Sequence, residues 1–152
     1  MNIEEALKIS KNLDLPSKTL INLMYTSRSV EEKFAALLKE YELSSPQFNV
    51  LRILRGQKGK PASLACIQER MVDRNSNTTR LVDKLITKKL VVRRVCPDNR
   101  RRVEIEITQQ GLQLLEKLDP LTTRHNAQST SNLEENELII LNNLLDKLKN
   151  DE

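Results

Sequence analysis

At 152 residues, with 38% apolar and 30% charged positions, the chain is long enough for one core-bearing domain with an added lobe, and polar enough to leave much helical surface in water. Aromatic residues make up 3% and tryptophan is absent, which excludes a stacking platform for single-stranded nucleic acid. The net charge of +4 is uneven: residues 63–102 hold eleven Lys/Arg against four Asp/Glu, whereas residues 103–152 hold four against ten, so the middle of the chain is suited to a polyanionic partner.

From the N-terminus, Met1–Leu15 alternates acidic and basic residues around a short helix expected near Ile3–Leu13, and Pro16 punctuates it. It lacks the apolar stretch of a signal peptide, and no apolar run in the chain approaches the ~20 residues that span a bilayer, so a soluble, cytoplasmic protein with no membrane partner is expected. Ser17 is the expected N-cap of a long helix to about Tyr41, with Leu20, Leu23, Met24, Val30, Phe34, Leu37, Leu38 and Tyr41 at helical spacing. Ser45-Pro46 reads as the cap and first turn of a helix that buries Phe48, Leu51 and Leu54 and closes at Gly56.

After a break at Gly59 and Pro61, a short helix is expected from Ser63 to about Met71, then a polar turn and a longer helix from Asn75 to about Lys88. Leu81, Val82, Leu85 and Ile86 form its core side. The other side shows Ser76, Asn77, Arg80, Lys84 and Thr87, with Thr79 among the small polar groups at its N-terminus. These residue types suit a DNA major groove: Asn pairs with adenine, Arg with guanine, and Ser or Thr hydroxyls bind bases or phosphates. Val91, Arg93 and Val95 then alternate in one strand, and Val103, Ile105 and Ile107 alternate with Glu104 and Glu106 in the next. Between them lies a charged tip, Pro97–Arg102, with three consecutive arginines, Arg100, Arg101 and Arg102. Such crowded like charges make sense beside a polyanion, and an arginine at a loop tip fits the negative minor groove.

Thr108 caps a further helix marked by Leu112, Leu115 and Leu118. Pro120 predicts a kink or break there, and Thr122–Asn132 is open to helix or loop. Ser131 and Glu134 form the pattern of a capping box for a last helix carrying Leu138, Leu141, Leu145 and Leu148. The apolar stripes on the first long helix and the last exceed what a compact lobe can bury, so they are expected to pair with a second copy of the chain.

The fold expected is therefore mostly α with a small β part (α+β). It is a winged helix-turn-helix with a two-stranded β wing, between N- and C-terminal helices that form a dimerisation region. Residues 1–43 would supply the N-terminal dimerisation helices, 44–108 the DNA-binding domain, and 109–152 the C-terminal dimerisation helices. No paired acid–base constellation, glycine-rich phosphate loop or metal triad is present, so neither enzyme chemistry nor a cofactor or metal is expected. Cys66 and Cys96 lack metal-ligand spacing and read as structural thiols, His125 as a solvated surface residue.

Residues 44–119 resemble the MarR family of winged-helix transcription regulators. The resemblance rests on Ser45-Pro46-Gln47-Phe48-Asn49-Val50-Leu51, on Thr79-Arg80-Leu81-Val82-Asp83-Lys84-Leu85, and on Arg100-Arg101 followed by Val103–Ile107 and Thr108-Gln109-Gln110-Gly111. It implies a triangular homodimer that represses by occupying a pseudo-palindromic operator on double-stranded DNA. The Asn75–Lys88 helix would lie in the major groove, Arg101 in the minor groove, and Arg100 and Arg102 on phosphates. It also implies a pocket for a small anionic or phenolic effector near Met24, Tyr25, Arg28 and Phe48, with Arg28 receiving the anion. Two positions depart from the family pattern: Asn99 stands where an aspartate is usual, two residues before the wing arginine, and Lys89 stands where a glycine is usual. The rival readings are a winged-helix protein-interaction adaptor that ignores DNA, and a regulator switched by oxidation of Cys66 or Cys96.

Overall fold

A computed structural model describes residues 1–149. In chain order it comprises α1 (Ile3–Ala6), α2 (Leu15–Lys39), α3 (Ser45–Gly56), α4 (Leu64–Arg70), α5 (Thr78–Thr87), β1 (Val91–Cys96), β2 (Asn99–Ile107), α6 (Gln109–Ser129) and α7 (Glu135–Lys149). The chain is mostly helical, with one antiparallel two-stranded sheet.

Helix starts follow the side chain that first satisfies the free N–H groups. Asp14, not Ser17, caps α2 by accepting the Ser17 N–H, and Pro16 sits in the first turn, where its missing N–H costs nothing. Ser44, not Ser45, caps α3 in a reciprocal box with Gln47. Ser63, expected as the first residue of the short helix, instead caps it, and α4 begins at Leu64. The expected start of α5 at Asn75 is displaced to Thr78. Asp73 accepts the Asn75 N–H through its side chain and the Ser76 N–H through its carbonyl, and this local turn outcompetes helix until Asn77 caps α5.

Beyond the sheet, Thr108 caps α6, and α6 continues through Pro120 to Ser129, so no break occurs and Thr122–Ser129 is helical. Pro120 is exposed, so the carbonyl one turn earlier that loses its partner can turn to water. Ser131 does not cap α7: its hydroxyl donates to the Gln128 carbonyl, and the Glu137 carboxylate accepts the Glu134 N–H. The N-terminal helix is also shorter than its pattern suggests, ending at Ala6.

The core lies where α3, α5, α6 and the sheet meet. Leu51, Leu54, Ile67, Val82, Leu85, Ile105, Leu115 and Leu118 are all buried in it, and Leu38 extends it onto α2. Ala62 exchanges two backbone hydrogen bonds with Ile105, at 2.9 and 2.8 Å, and so stitches the α3–α4 loop to β2. Gly111 permits the close approach of α6 to the sheet: a Cβ there would lie 2.5 Å from the Leu90 carbonyl oxygen and 2.6 Å from the Ile107 side chain. Lys89, at the end of α5, has φ +62°, the left-handed conformation a glycine adopts freely. α7 stands apart from this core, with no buried residue.

Candidate nucleic-acid interface and adjoining cavity

The core side of α5 is formed by buried Val82 and Leu85, with half-buried Leu81 and Ile86, so its opposite side must face solvent. That side carries Thr79, Arg80, Asp83, Lys84 and Thr87. Asp83 binds Arg93 of β1 at 2.6 Å, which ties the helix to the hairpin. Arg80 and Lys84 take part in no ion pair among the described residues.

Ser76 and Asn77 precede the helix rather than lie on it. The Asn77 side-chain oxygen is engaged as the cap, accepting the Arg80 N–H at 3.1 Å, so only its NH2 group is left to meet a partner. Ser76 is half-buried, and its hydroxyl oxygen is buried without a protein partner, so it is not presented at the surface with Arg80 and Lys84.

The hairpin turns over Pro97 and Asp98, earlier than the charged tip suggests. Val95 pairs with Val103 and Cys96 with Asn99, so Arg100, Arg101 and Arg102 have no partners on β1 and bulge from the strand. All three are exposed and unpaired with any acid among the described residues. Asn99 shapes the bulge by accepting the Arg101 N–H at 3.1 Å. It thereby fixes the Arg101 backbone, where the usual aspartate would address the guanidinium. Arg94 pairs across the strands with Glu106 at 3.6 Å.

Behind this surface lies an open cavity of 790 Å³ bounded by α2, α3 and the turn between α4 and α5. Arg28 and Glu31 of α2, Arg52 of α3 and Asp73 of the turn bring charges to it, around Phe34 and Phe48. The two rings meet edge to face at 5.4 Å, and the Arg52 guanidinium stands 5.7 Å from the centre of Phe48. Of the four residues expected at a pocket, Arg28 and Phe48 line it. Met24 and Tyr25 lie farther up α2, exposed, and are not part of its wall. Glu31 and Arg52 were legible as neighbours of the expected pair, since Glu31 follows Arg28 by three and Arg52 follows Phe48 by four on continuous helices. Asp73 had no such signal, because it reaches the cavity only through the tertiary placement of a turn.

On the far side of α3, Arg55 grips Asp119 of α6 with two hydrogen bonds of 2.8 and 3.0 Å. Those bonds, more than the accompanying positive charge of Arg55 and Arg52, hold the Asp119 carboxyl below the ordinary carboxylate range. His125 is half-buried rather than fully solvated: its ring lies 5.6 Å from Phe34. The two thiols are free; Cys66 is half-buried on α4, with an Arg70 nitrogen 3.0 Å from its sulfur, and Cys96 is buried at the end of β1.

Two helices meeting at a turn, followed by a cationic hairpin, define a winged helix-turn-helix protein of the DNA-binding class. The sequence profile of the MarR family matches residues 43–103, from the α2–α3 corner into β2. YkoM of Bacillus subtilis, an uncharacterised HTH-type transcriptional regulator, is 31% identical over 119 residues, 75% of each chain. The MarR transcription factor of Planctomyces limnophilus, 29% identical, superposes with a TM-score of 0.70 over 90% of this chain and 98% of its own. BpsR of Bordetella bronchiseptica, whose DNA binding is regulated by 6-hydroxynicotinic acid, shares 20% identity and superposes with a TM-score of 0.81 over 93% and 100% of the two chains. The chain belongs to the MarR family of DNA-binding transcription regulators. Among its described residues no helix is long and apolar enough to cross a membrane.

Proposed function

We propose that the protein is a homodimeric repressor that occupies a pseudo-palindromic operator and leaves it when a small ligand fills the cavity. The observation that carries this reading is the set of five cations, Arg80, Lys84 and Arg100–Arg102, held on α5 and the hairpin without an acidic partner among the described residues. Unneutralised charge in two adjoining elements favours a polyanion; a helix fits the width of the major groove, and an arginine side chain at the hairpin tip fits the narrow minor groove.

In this reading Thr79, Arg80 and Lys84 meet the major groove, while the Asn77 NH2 group meets a phosphate at the start of α5. Arg101 enters the minor groove, with Arg100 and Arg102 on the flanking backbone. The Asp83–Arg93 bridge supports this division of labour, because it couples the placement of helix and hairpin.

A dimer is supported by α7, a 15-residue helix with no buried residue, on which Ile140, Leu141, Leu144, Leu145 and Leu148 are exposed. A helix of that length is marginal in water by itself, so its apolar side needs a partner. Two copies place two α5 helices one turn of DNA apart, about 10 bp. An effector is supported by the cavity, whose arginines and phenyl rings suit a small anionic aromatic, and by BpsR, which answers to 6-hydroxynicotinic acid.

Selection of bound duplexes from a random pool tests the whole reading. Enrichment of two inverted half-sites about 10 bp apart is the expected outcome. Failure to enrich any sequence, or enrichment of a lone half-site, overturns it.

A further inference from the structure

The turn from Met71 to Asn77 determines where α5 begins and how its first residues face outward. Two side-chain tethers hold it. Gln68 of α4 donates to the Arg74 carbonyl at 3.0 Å and accepts from the Thr78 hydroxyl, so it ties the turn within the helix-turn-helix itself. The second tether comes from the scaffold: the Asn49 side-chain oxygen on α3 accepts the Val72 N–H at 2.8 Å, across 23 residues of sequence. Among the described residues it is the one side-chain hydrogen bond that joins this turn to α3.

The tether does little for the core. Asn49 is half-buried and Val72 is 89% exposed, so the bond acts one residue past the buried Met71, at a residue whose own side chain is not packed. Such a bond contributes little to global stability, yet it fixes a local position. Reading base edges is sensitive to position, because a contact constellation must be held to within about 0.5 Å to work.

We infer that Asn49 is a positioning residue for operator recognition, holding the helix-turn-helix turn, and through it the N-terminal half of α5, in its reading position by accepting the Val72 N–H. The inference rests on α5 being the DNA-reading helix. It adds a residue that the DNA would never touch, on the wall of the cavity that Asn49, Val72 and Asp73 share.

The test compares wild type, Asn49→Ala and Asn49→Asp on two duplexes, one recovered by wild-type selection and one scrambled from it. Melting temperature and amide exchange at Val72 are followed alongside. Asn49→Ala should lose about tenfold on the selected duplex, as expected for one lost positioning hydrogen bond, and nothing on the scrambled one. Its melting temperature should be unchanged and its Val72 amide should exchange faster. Asn49→Asp keeps the acceptor; its added negative charge lowers affinity for both duplexes alike and leaves their ratio at the wild-type value. The inference is overturned if Asn49→Ala keeps the wild-type ratio, or if Asn49→Asp loses that ratio as Asn49→Ala does. It is also overturned if the wild-type Val72 amide exchanges as fast as those of its exposed neighbours, a measurement that needs no variant to fold. A wild type that prefers neither duplex defeats the DNA-reading role of α5 itself, and the inference with it.

Discussion

Arg80 and Arg101 carry the same charge but sit on different backbones, which in the proposed reading suits them to different contacts. Arg80 projects from a rigid helix whose core side is fixed, so its guanidinium can be aimed at a base edge; Arg101 projects from a bulge, where reach matters more than aim. Arg80→Ala should therefore cost about 1–3 kcal/mol on the best operator and relax preference at one base position. Arg101→Ala should weaken all duplexes alike and reduce the slope of log K against log salt by about 1. Titrations on operator and scrambled duplex across a salt series separate the two, and identical behaviour of the variants would refute the division. Residue types on the outer side of α5 were legible in the sequence because helical spacing alone sorts them from Leu81, Val82, Leu85 and Ile86. The role of Asn77 was not, because a base-reading asparagine and a capping asparagine look the same until the position of the first turn is known. A further residue-scale consequence comes from Asp119. Its carboxyl is held below its unfolded value by Arg55, so the pair stabilises the fold above about pH 4, and that contribution disappears as pH falls through the lowered folded value. Both side chains are partly solvated, so only about 0.5 kcal/mol is at stake. Asp119→Asn should lower the melting temperature slightly at pH 7 and not at the acid end of a pH series.

At the scale of elements, the periodicities located each helix and both strands, whereas their edges depended on competing local bonds. The α4–α5 turn is longer than its pattern suggests because Asp73 ties back the two residues that follow it, and the hairpin turn is shorter because the arginines are absorbed into a bulge. Neither competition can be settled from residue spacing. Two substitutions probe how these elements are joined. Gly111→Ala forces a Cβ into the Leu90 carbonyl and the Ile107 side chain, at a place where backbone must give way. It should destabilise by about 2–4 kcal/mol, read by denaturant titration, since α6 would have to lift from the sheet. Lys89→Gly relieves a left-handed residue at the end of α5 but frees the unfolded chain, so the net gain should be small, about 0.5 kcal/mol. A loss of stability in Lys89→Gly would mean that the Lys89 side chain does more than occupy a strained position.

For the molecule as a whole, the question is what covers α7. Within one chain the fold closes around α3, α5, α6 and the sheet, while the two long apolar stripes of α2 and α7 remain in water: Leu15, Leu20, Met24 and Val30 on the first, Ile140, Leu144 and Leu148 on the second are all exposed. The excess of apolar stripe was visible in the sequence, since a lobe of this size cannot bury two further amphipathic helices; the identity of the covering surface was not, since leucine spacing does not name its partner. If two copies cover each other's stripes, charge placed on α7 acts at a distance on DNA. Leu144→Glu with Leu148→Glu would put carboxylates into the dimer's apolar seam without touching the winged helix-turn-helix core. The double variant should sediment as a folded monomer where wild type sediments as a dimer. Its operator affinity should fall by a factor of about 100 or more, because each half-site must then be bound without the effective concentration its neighbour supplies. Binding to a single half-site should be unchanged. A double variant that still sediments as a dimer would show that the stripe serves another partner, and one that is monomeric yet binds the full operator at wild-type affinity would show that recognition does not depend on pairing.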